Sequence, residues 1–514
     1  MRLKVMSLGL ESGGKPIVTL SRDDSEELGI KGSGRVVIEH KGKKLTAIVN
    51  VVTKNVPKGI IGVYDEVKKA LDLKGDSLVE VVPAEPPKSI QFIKNRLKGR
   101  LLNEDEIFEI VKDTVHGNLS EIEVVSFVIA LQNISLNLSE STDLAKAMVK
   151  TGEVLNLGKK PIVDKHSIGG SVGDKTTLLL VPIIAAAGLT IPKTSSRAIT
   201  GAAGSADKAE VLMPVNLDVE EIRQVVGKTN GCIAWGGALN LAPADDIFVQ
   251  AEYPLSIDPL MLPSIMAKKK AVGATHLVID IPTGRGTKIK TIGDASLLSK
   301  DFIEIGKRLG IETRCALTYG EQPMGYCIGP ALEAKEALET LMRKKSIPDV
   351  IDKAVDIAGM LFDMVGKKYG RELALEILSS GKAEKKMREM IMEQGGNHDI
   401  KPDDIVIGEY GLDYSSSRNG LVLWIDNNKL IELARAAGSP KDKGAGIKLY
   451  KKIGDAVKKG ERLFTIYVEK SKKLERVREI LEGEVVFGVG ARMEMLIQEI
   501  REKPMPKKAF ILER

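Results

Sequence analysis

The segment from Asp164 to Ala209 reads DKHSIGGSVGDKTTLLLVPIIAAAGLTIPKTSSRAITGAAGSADKA and contains two successive strand–loop–helix units. A short apolar strand at 161–163 leads into a glycine-rich loop, and an apolar helix then opens near Asp174. A second strand, 189–192, leads into another loop of small residues, 194–205. Because such units build a parallel sheet, both loops should lie at the carboxyl edge of the strands, where open α/β folds bind ligands.

The composition of the two loops favours an anion, most simply phosphate. Glycine lets the backbone approach an oxyanion closely, and a helix N-terminus offers unpaired N–H groups. The spacing fits neither a G-x-x-x-x-G-K-[ST] phosphate loop nor a dinucleotide fingerprint. Flexible turns with solvated hydroxyls are the alternative, and His166 is equally well explained as a structural residue. The candidate donors are Lys165 and the hydroxyls of Ser167, Thr176, Thr177, Ser195, Ser196, Thr200 and Ser205.

Several motifs occur in a fixed order along the chain. KHSIGG, GDKTT, SSRAIT and GSADK lie within the segment quoted above. LAPADD (241–246), PLSIDP (254–259), VIDIPTGRG (278–286) and EQPMGYCIGPALE (321–333) follow it. Together these motifs resemble the thymidine/pyrimidine-nucleoside phosphorylase family over most of the chain. The variants with Ile168 and with SSRAIT resemble the archaeal branch of that family, the AMP phosphorylases.

The resemblance implies roles for particular residues. Asp258 matches the proposed catalytic proton donor of the archaeal branch, a role that requires burial to keep its carboxyl protonated. From the residues alone, Asp258 could instead be a helix N-cap before Pro259. The implied phosphate-binding residues are Lys165, Ser167, Thr177 and Ser195. The implied AMP-binding residues are Gly170, Ser196, Arg197, Ala198, Ile199, Thr200, Gly201, Ser205, Ser264 and Lys288.

The resemblance further implies phosphorolysis of AMP, with CMP and UMP as other candidates, to ribose 1,5-bisphosphate and the free base. Such a reaction serves nucleotide salvage or degradation, and this pentosyltransferase would use inorganic phosphate as a substrate and no cofactor. Arg197 and Lys288 are predicted to select the 5′-phosphate as unpaired cations. The spacing between Asp258 and Ser264 is short for the branch, so Lys268 is a candidate to take over part of the role of Ser264.

Three alternatives belong to other functional classes. A pyrimidine nucleoside phosphorylase acting on thymidine or uridine would carry a base-binding arginine where Ala251 stands. A phosphoribosyltransferase would need an acidic pair to hold a metal near the loops, and none is evident. A nucleotide-sensing assembly protein without enzymatic activity would explain the additional terminal domains.

The expected fold class is α/β, with the type II nucleoside phosphorylase layout that the resemblance implies. A helical domain (90–157 and 239–271) faces an α/β phosphate-binding domain (161–236 and 273–403) with a mixed, mainly parallel sheet. Within 1–84, LGIKGSGRVVIE (28–39) is echoed by LDLKGDSLVEVV (71–82), which predicts an N-terminal pseudo-symmetric β-barrel. Residues 404–514 are predicted to form a β-rich C-terminal α+β domain, in which 453–468 reads as a hairpin.

Charge and composition exclude several partners. The net charge of +6 arises from 76 basic and 70 acidic residues that are interspersed, so no nucleic-acid partner is predicted. The 3 cysteines form no C-x-x-C pair, so neither a zinc site nor a disulfide framework is expected. Without a secretion signal or a long apolar run, a cytoplasmic enzyme with no membrane partner is expected. A homodimer or larger homo-oligomer is the expected assembly.

Overall fold

The computed structural model describes residues 1–198 and 201–491, and its first part is a small β-barrel. The barrel elements are β1 (Arg2–Ser7), β2 (Ile17–Ser21), α1 (Arg22–Glu27), β3 (Arg35–His40), β4 (Lys43–Val52), β5 (Ile60–Val63), α2 (Asp65–Ala70) and β6 (Leu78–Pro83). The strands close in the order β1-β5-β2-β4-β3-β6. Exchanging β1, β2 and β3 with β4, β5 and β6 leaves every neighbour relation unchanged, so the predicted pseudo-symmetric barrel is confirmed.

Four helices follow the barrel and form a bundle. They are α3 (Lys88–Leu97), α4 (Glu104–Val115), α5 (Glu121–Asn133) and α6 (Leu138–Lys150). A capping box starts α5: the Ser120 N–H donates to Glu123 Oε2 at 2.7 Å, and the Glu123 N–H donates to Ser120 Oγ at 3.4 Å. The buried Arg96 guanidinium lies 2.8 Å from Glu140 Oε1 and thereby ties α3 to α6.

The two predicted strand–loop–helix units follow the bundle. Their region contains β7 (Val163–Ser167), α7 (Thr176–Ala186), β8 (Ile191–Ser195), α8 (Ser205–Ala209), α9 (Val219–Thr229) and β9 (Gly231–Trp235). A parallel bridge between Ile162 and Thr190 places β7 beside β8, and β8 pairs in parallel with β9. Helix α7 is apolar on every side and is buried in the core of this domain, as a helix of that composition must be.

The chain then returns to the helical bundle before completing the sheet. Helices α10 (Pro243–Glu252) and α11 (Met261–Ala271) contribute to the same apolar core as α3 to α6. The rings of Phe248 on α10 and Phe127 on α5 lie 5.8 Å apart between centroids. The bundle is therefore built from two separate segments of the sequence.

The second half of the α/β domain places a third loop beside the first two. It contains β10 (His276–Thr283), α12 (Ile292–Leu309), β11 (Glu312–Tyr319), β12 (Cys327–Ile328), α13 (Pro330–Leu341), α14 (Pro348–Met364), α15 (Gly370–Ser379) and α16 (Lys382–Glu393). Strand β10 pairs in parallel with both β7 and β11, which gives the order β11-β10-β7-β8-β9. The loops after β10, β7 and β8 therefore leave the same edge, and the predicted α/β fold class is confirmed.

Within residues 404–491, the C-terminal part contains two antiparallel sheets and two helices. Its elements are β13 (Tyr410–Ser415), β14 (Gly420–Ile425), α17 (Asn427–Ala437), β15 (Gly446–Leu449), β16 (Ala456–Val457), β17 (Arg462–Val468), α18 (Lys473–Leu481) and β18 (Phe487–Gly490). The hairpin predicted for 453–468 is wrong, because β16 pairs with β14 whereas β17 pairs with β13 and β15. The turn between β16 and β17 forms backbone hydrogen bonds with Ser416 instead. The Ser416 carbonyl accepts from the Gly460 N–H, and the Ser416 N–H donates to the Glu461 carbonyl, both at 2.8 Å.

Across residues 1–198 and 201–491, the structure contains no helix that is both long enough and apolar enough to cross a membrane.

Candidate active site

The loop after β7 lies directly against the loop after β10. Gly169 and Gly170 both adopt left-handed backbone conformations, with φ of +90° and +87°. A Cβ atom at Gly170 would lie 2.8 Å from the backbone nitrogen of Lys288, so the loops can approach this closely only with glycine there. This approach brings Lys288 next to the first glycine-rich loop.

The loop after β8 is held in place by the short helix α8. The Asp207 carboxylate accepts hydrogen bonds from the N–H groups of Ala198 at 2.7 Å and Gly204 at 2.8 Å. The Ser205 hydroxyl lies 3.4 Å from the Thr177 hydroxyl at the start of α7. The hydroxyl groups of the two predicted anion-binding loops therefore meet.

A cavity of about 970 Å³ lies among these three loops. The predicted residues that line it are Lys165, Ser167, Gly170, Thr177, Ser195, Ser196, Arg197, Ala198, Gly201, Ser205 and Lys288. Asp258 and Ser264 do not line this cavity. Ile199 and Thr200, which the sequence also assigns to AMP binding, lie outside the described residues. Thus one cavity gathers predicted phosphate-binding and AMP-binding residues that are far apart in the sequence.

Lys165 belongs to a buried cluster of charges at the floor of this cavity. Its Nζ lies 3.3 Å from Asp280 Oδ2 and 3.6 Å from Asp174 Oδ2, and Lys353 Nζ lies 2.8 and 3.5 Å from the same two oxygens. Burial alone would raise the pKa of Asp174, but Lys165, Lys353 and Lys208 hold it well below its usual value. The Asp174 carboxylate is therefore ionised, and together with Asp280 it fixes Lys165 in position.

Lys193 is another basic residue of the cavity, and it was not among the predicted site residues. Burial lowers the pKa of Lys193 to about 7; Asp164, 3.7 Å away, opposes this shift, whereas Lys269 and Lys165 add to it. Desolvation, followed by the charges of Lys269 and Lys193, holds the pKa of His166 well below its usual value. His166 is therefore a neutral imidazole near pH 7. The sequence pattern that could have identified Lys193 is its position directly after the predicted strand 189–192.

Asp258 pairs with a cation of the third loop. Its Oδ2 lies 2.7 Å from Lys288 Nζ, and 45% of its side chain is exposed. The N-cap position of α11 is Leu260, so the alternative role of Asp258 as a helix cap is wrong. The burial that would keep its carboxyl protonated is not present either.

Comparison with known proteins places this architecture in a family. The models "Glycosyl transferase family, helical bundle domain", "Glycosyl transferase family, a/b domain" and "Pyrimidine nucleoside phosphorylase C-terminal domain" match residues 90–152, 159–384 and 422–487. The AMP phosphorylase of Thermofilum pendens is 48% identical over 100% of both chains. The AMP phosphorylase of Methanococcoides burtonii is 46% identical over 98% of this chain and 100% of its own. That of Pyrococcus furiosus is 47% identical over 93% of this chain and 95% of its own. The chain belongs to the AMP phosphorylase family.

A more distant solved structure shares the fold of this family. Anthranilate phosphoribosyltransferase from Thermus thermophilus superposes with a TM-score of 0.51 at 19% identity, over 59% of this chain and 98% of that one. This similarity concerns the fold alone.

Arg197 is not the unpaired cation that the sequence predicts. Its guanidinium nitrogens lie 2.6 Å from Glu210 Oε1 and 3.4 Å from Asp207 Oδ1, and its Cζ lies 5.0 Å from the centroid of the Trp235 ring. The Arg197 hydrogen bond lowers the pKa of Glu210 to about 2. Lys288 is likewise paired. The prediction that these two cations are unpaired in an AMP phosphorylase site is therefore wrong.

Three residues of the helical segment bear on the predicted substrate contacts. Ser264 is on α11, away from the lining of the cavity. Lys268 Nζ lies 2.5 Å from Asp245 Oδ2, so its charge is already matched and it cannot readily take over the role of Ser264. Ala251 packs against the core of the helical bundle.

Glu252, at the end of α10, is a buried acid that was not among the predicted site residues. Burial and the nearby charge of Asp258 raise the pKa of Glu252 to about 8. Its Oε1 accepts a hydrogen bond from the Leu260 N–H at 3.2 Å, which fixes the start of α11 relative to Asp258. No motif marks Glu252, because its burial arises from tertiary packing.

The C-terminal domain also contributes to the wall of this AMP phosphorylase cavity. Asn428 and Ile431 on α17 line it, as does Arg285 in the loop after β10.

In residues 1–198 and 201–491, His, Cys, Asp and Glu side chains form no group of three or more that could hold a metal ion.

Proposed function

We propose that the protein catalyses the phosphorolysis of AMP by inorganic phosphate, which yields ribose 1,5-bisphosphate and adenine. The observation that carries this proposal is the full-length similarity to AMP phosphorylases, the first of which is 48% identical. The shared cavity supports it, because Lys165, Ser167, Thr177 and Ser195 converge there. CMP and UMP are the further candidate substrates, and the reaction would serve nucleotide salvage or degradation.

In the proposed reaction, a phosphate oxygen attacks C1′ of the ribose while the C1′–N bond breaks. The bonding electron pair leaves with adenine, which takes up a proton. Holding the phosphate beneath C1′ supplies much of the rate enhancement, since the phosphate is both nucleophile and counter-charge. Lys165 and the hydroxyls of the two loops provide the donors for this. Asp258 is the proposed proton donor, and it must first separate from Lys288.

Other assignments find less support. A pyrimidine nucleoside phosphorylase is not favoured, because the similar full-length relatives are AMP phosphorylases and Ala251 stands in place of the base-binding arginine. A phosphoribosyltransferase shares only the fold. A nucleotide-sensing assembly protein would be favoured by the loss of Lys165 or of the second loop, and the sequence retains both. We further propose that the enzyme uses no cofactor, acts in the cytoplasm and forms a homodimer or a larger homo-oligomer.

The test is incubation of the purified protein with phosphate and AMP, CMP, UMP, adenosine or uridine, followed by chromatography of the released base. We expect phosphate-dependent release of adenine from AMP and formation of ribose 1,5-bisphosphate, detected by phosphorus NMR. Omission of phosphate is the control and should abolish release. Phosphate-dependent cleavage of uridine without cleavage of AMP would overturn the proposal in favour of a nucleoside phosphorylase.

A further inference from the structure

Arg285 differs from most of the basic residues that line the cavity. It lies in the third glycine loop, and among the described residues no carboxylate oxygen lies within ion-pairing distance of its guanidinium. Other basic side chains of the cavity are matched: Lys165 by Asp280, Lys193 by Asp164, Arg197 by Glu210, Lys208 by Glu333 and Lys288 by Asp258. Arg285 therefore offers the cavity a positive charge that no described carboxylate compensates.

An aromatic side chain of the C-terminal domain supports this guanidinium. The Arg285 Cζ lies 5.1 Å from the centroid of the Trp424 ring on β14. The indole packs closely against Gly488 of the neighbouring strand β18. Any side chain at Gly488 would collide with it, since a Cβ atom there would lie 2.1 Å from Trp424 Nε1. A guanidinium stacked on a ring keeps the N–H donors of its edge available, and its planar fork matches the oxygens of a phosphate.

The loop that carries Arg285 is anchored to the same domain. Gly286, the next residue of this loop, packs against Asn427 at the start of α17, since a Cβ atom on Gly286 would lie 3.2 Å from Asn427 Cβ. Asn427 is in turn held by a hydrogen bond that its Nδ2 donates to Gly320 O at 2.9 Å. In the sheet order, β10 lies on the side of β7 opposite to β8, which carries Ser195. Arg285 therefore lies on the other side of the cavity from the β8 loop, one of the two proposed to hold inorganic phosphate.

We propose that Arg285, held over Trp424, binds the 5′-phosphate of the nucleotide and so selects nucleotides over nucleosides. This inference rests on the proposed function and names the group that recognises its substrate. The C-terminal domain then takes part in substrate recognition by holding Arg285.

The test is calorimetric titration of AMP and of adenosine into the wild-type protein and Arg285→Gln. We expect the affinity for AMP to fall roughly tenfold or more in Arg285→Gln, with the affinity for adenosine unchanged. Arg314→Gln, which neutralises an exposed arginine on β11, is the matched control and should bind AMP normally. Unchanged binding of AMP by Arg285→Gln, or equal losses for AMP and adenosine, would overturn the inference.

Two additions separate this inference from other failures. If Arg285→Gln does not fold by circular dichroism, Arg285→Lys keeps the charge but loses the fork, and it should show a smaller loss specific to AMP. Trp424→Phe keeps an aromatic ring and should show a partial loss. Wild-type protein that binds AMP through Arg285 but releases no adenine would remove the proposed function and leave the inference standing. Wild-type protein that does not bind AMP would overturn the inference itself.

Discussion

Lys288 Nζ lies 2.7 Å from Asp258 Oδ2 and so joins the loop after β10 to the segment between α10 and α11. The proposed AMP-binding lysine and the proposed proton donor thus form an ion pair with each other. Both side chains are nearly half exposed, and an ion pair of that kind contributes only about 0–1 kcal/mol. The pair can therefore open at little cost when a substrate offers better partners.

Asp258→Asn tests the role of the carboxyl as an acid. Asn keeps the size of Asp but cannot deliver a proton, so we expect kcat for AMP to fall by about 10²–10⁴-fold. AMP binding should be largely retained, and both quantities follow from steady-state kinetics and calorimetry. Glu304→Gln, an equivalent change on the exposed side of α12, is the control. A wild-type kcat in Asp258→Asn would move the acid role to another group.

Lys288→Met tests whether the lysine serves the substrate rather than the fold. Because its partner is half exposed, we expect the free energy of unfolding to change by no more than about 1 kcal/mol. The KM for AMP should nevertheless rise several-fold, because the phosphorylated substrate loses a cation. Urea unfolding and steady-state kinetics supply the two measurements. A large loss of stability with an unchanged KM would assign Lys288 a structural role.

Lys165→Gln should affect both catalysis and folding. Because Lys165 is buried between Asp174 and Asp280, its loss should cost about 3 kcal/mol of stability. The phosphate KM should rise roughly tenfold or more, because a charge-assisted contact is removed. Lys353→Gln is the matched control, since Lys353 contacts the same carboxylates but does not line the cavity. Equal phosphate KM values in the two variants would contradict direct contact by Lys165.

The low pKa of Lys193 predicts a pH-dependent stability. Its folded pKa is about 7 against an ordinary 10.5, so the unfolded chain binds a proton that the folded chain has released over that range. Stability should therefore rise with pH between these values, by up to about 1.4 kcal/mol per pH unit. Lys193→Met should lack this rise, and Tm measured from pH 7 to 10 checks it. Parallel Tm profiles of the two proteins would show that Lys193 keeps an ordinary pKa.

Sequence patterns predicted the residues that adjoin the glycine loops. They missed the ion-pair partners that only tertiary packing brings together. Lys165 and Ser167 were found because they adjoin a glycine loop after an apolar strand, and those neighbours are contiguous in sequence. The charges of Arg197 and Lys288 were misjudged, because their partners Glu210 and Asp258 are reached only through the folded chain. The same holds for Lys353, which meets Asp280 from a helix that carries no motif.

Helix α17 supplies Asn428 and Ile431 to the wall of the cavity, although both phosphate loops are encoded far upstream. During synthesis, a ribosome that has just released α16 has already delivered all three glycine loops, but not Trp424, whose ring lies beneath Arg285. A nascent chain at that point lacks the wall that completes the nucleotide pocket. The wall of this cavity is therefore complete only when the chain extends past residue 431, so the last domain to be made also finishes the pocket that the earlier loops begin.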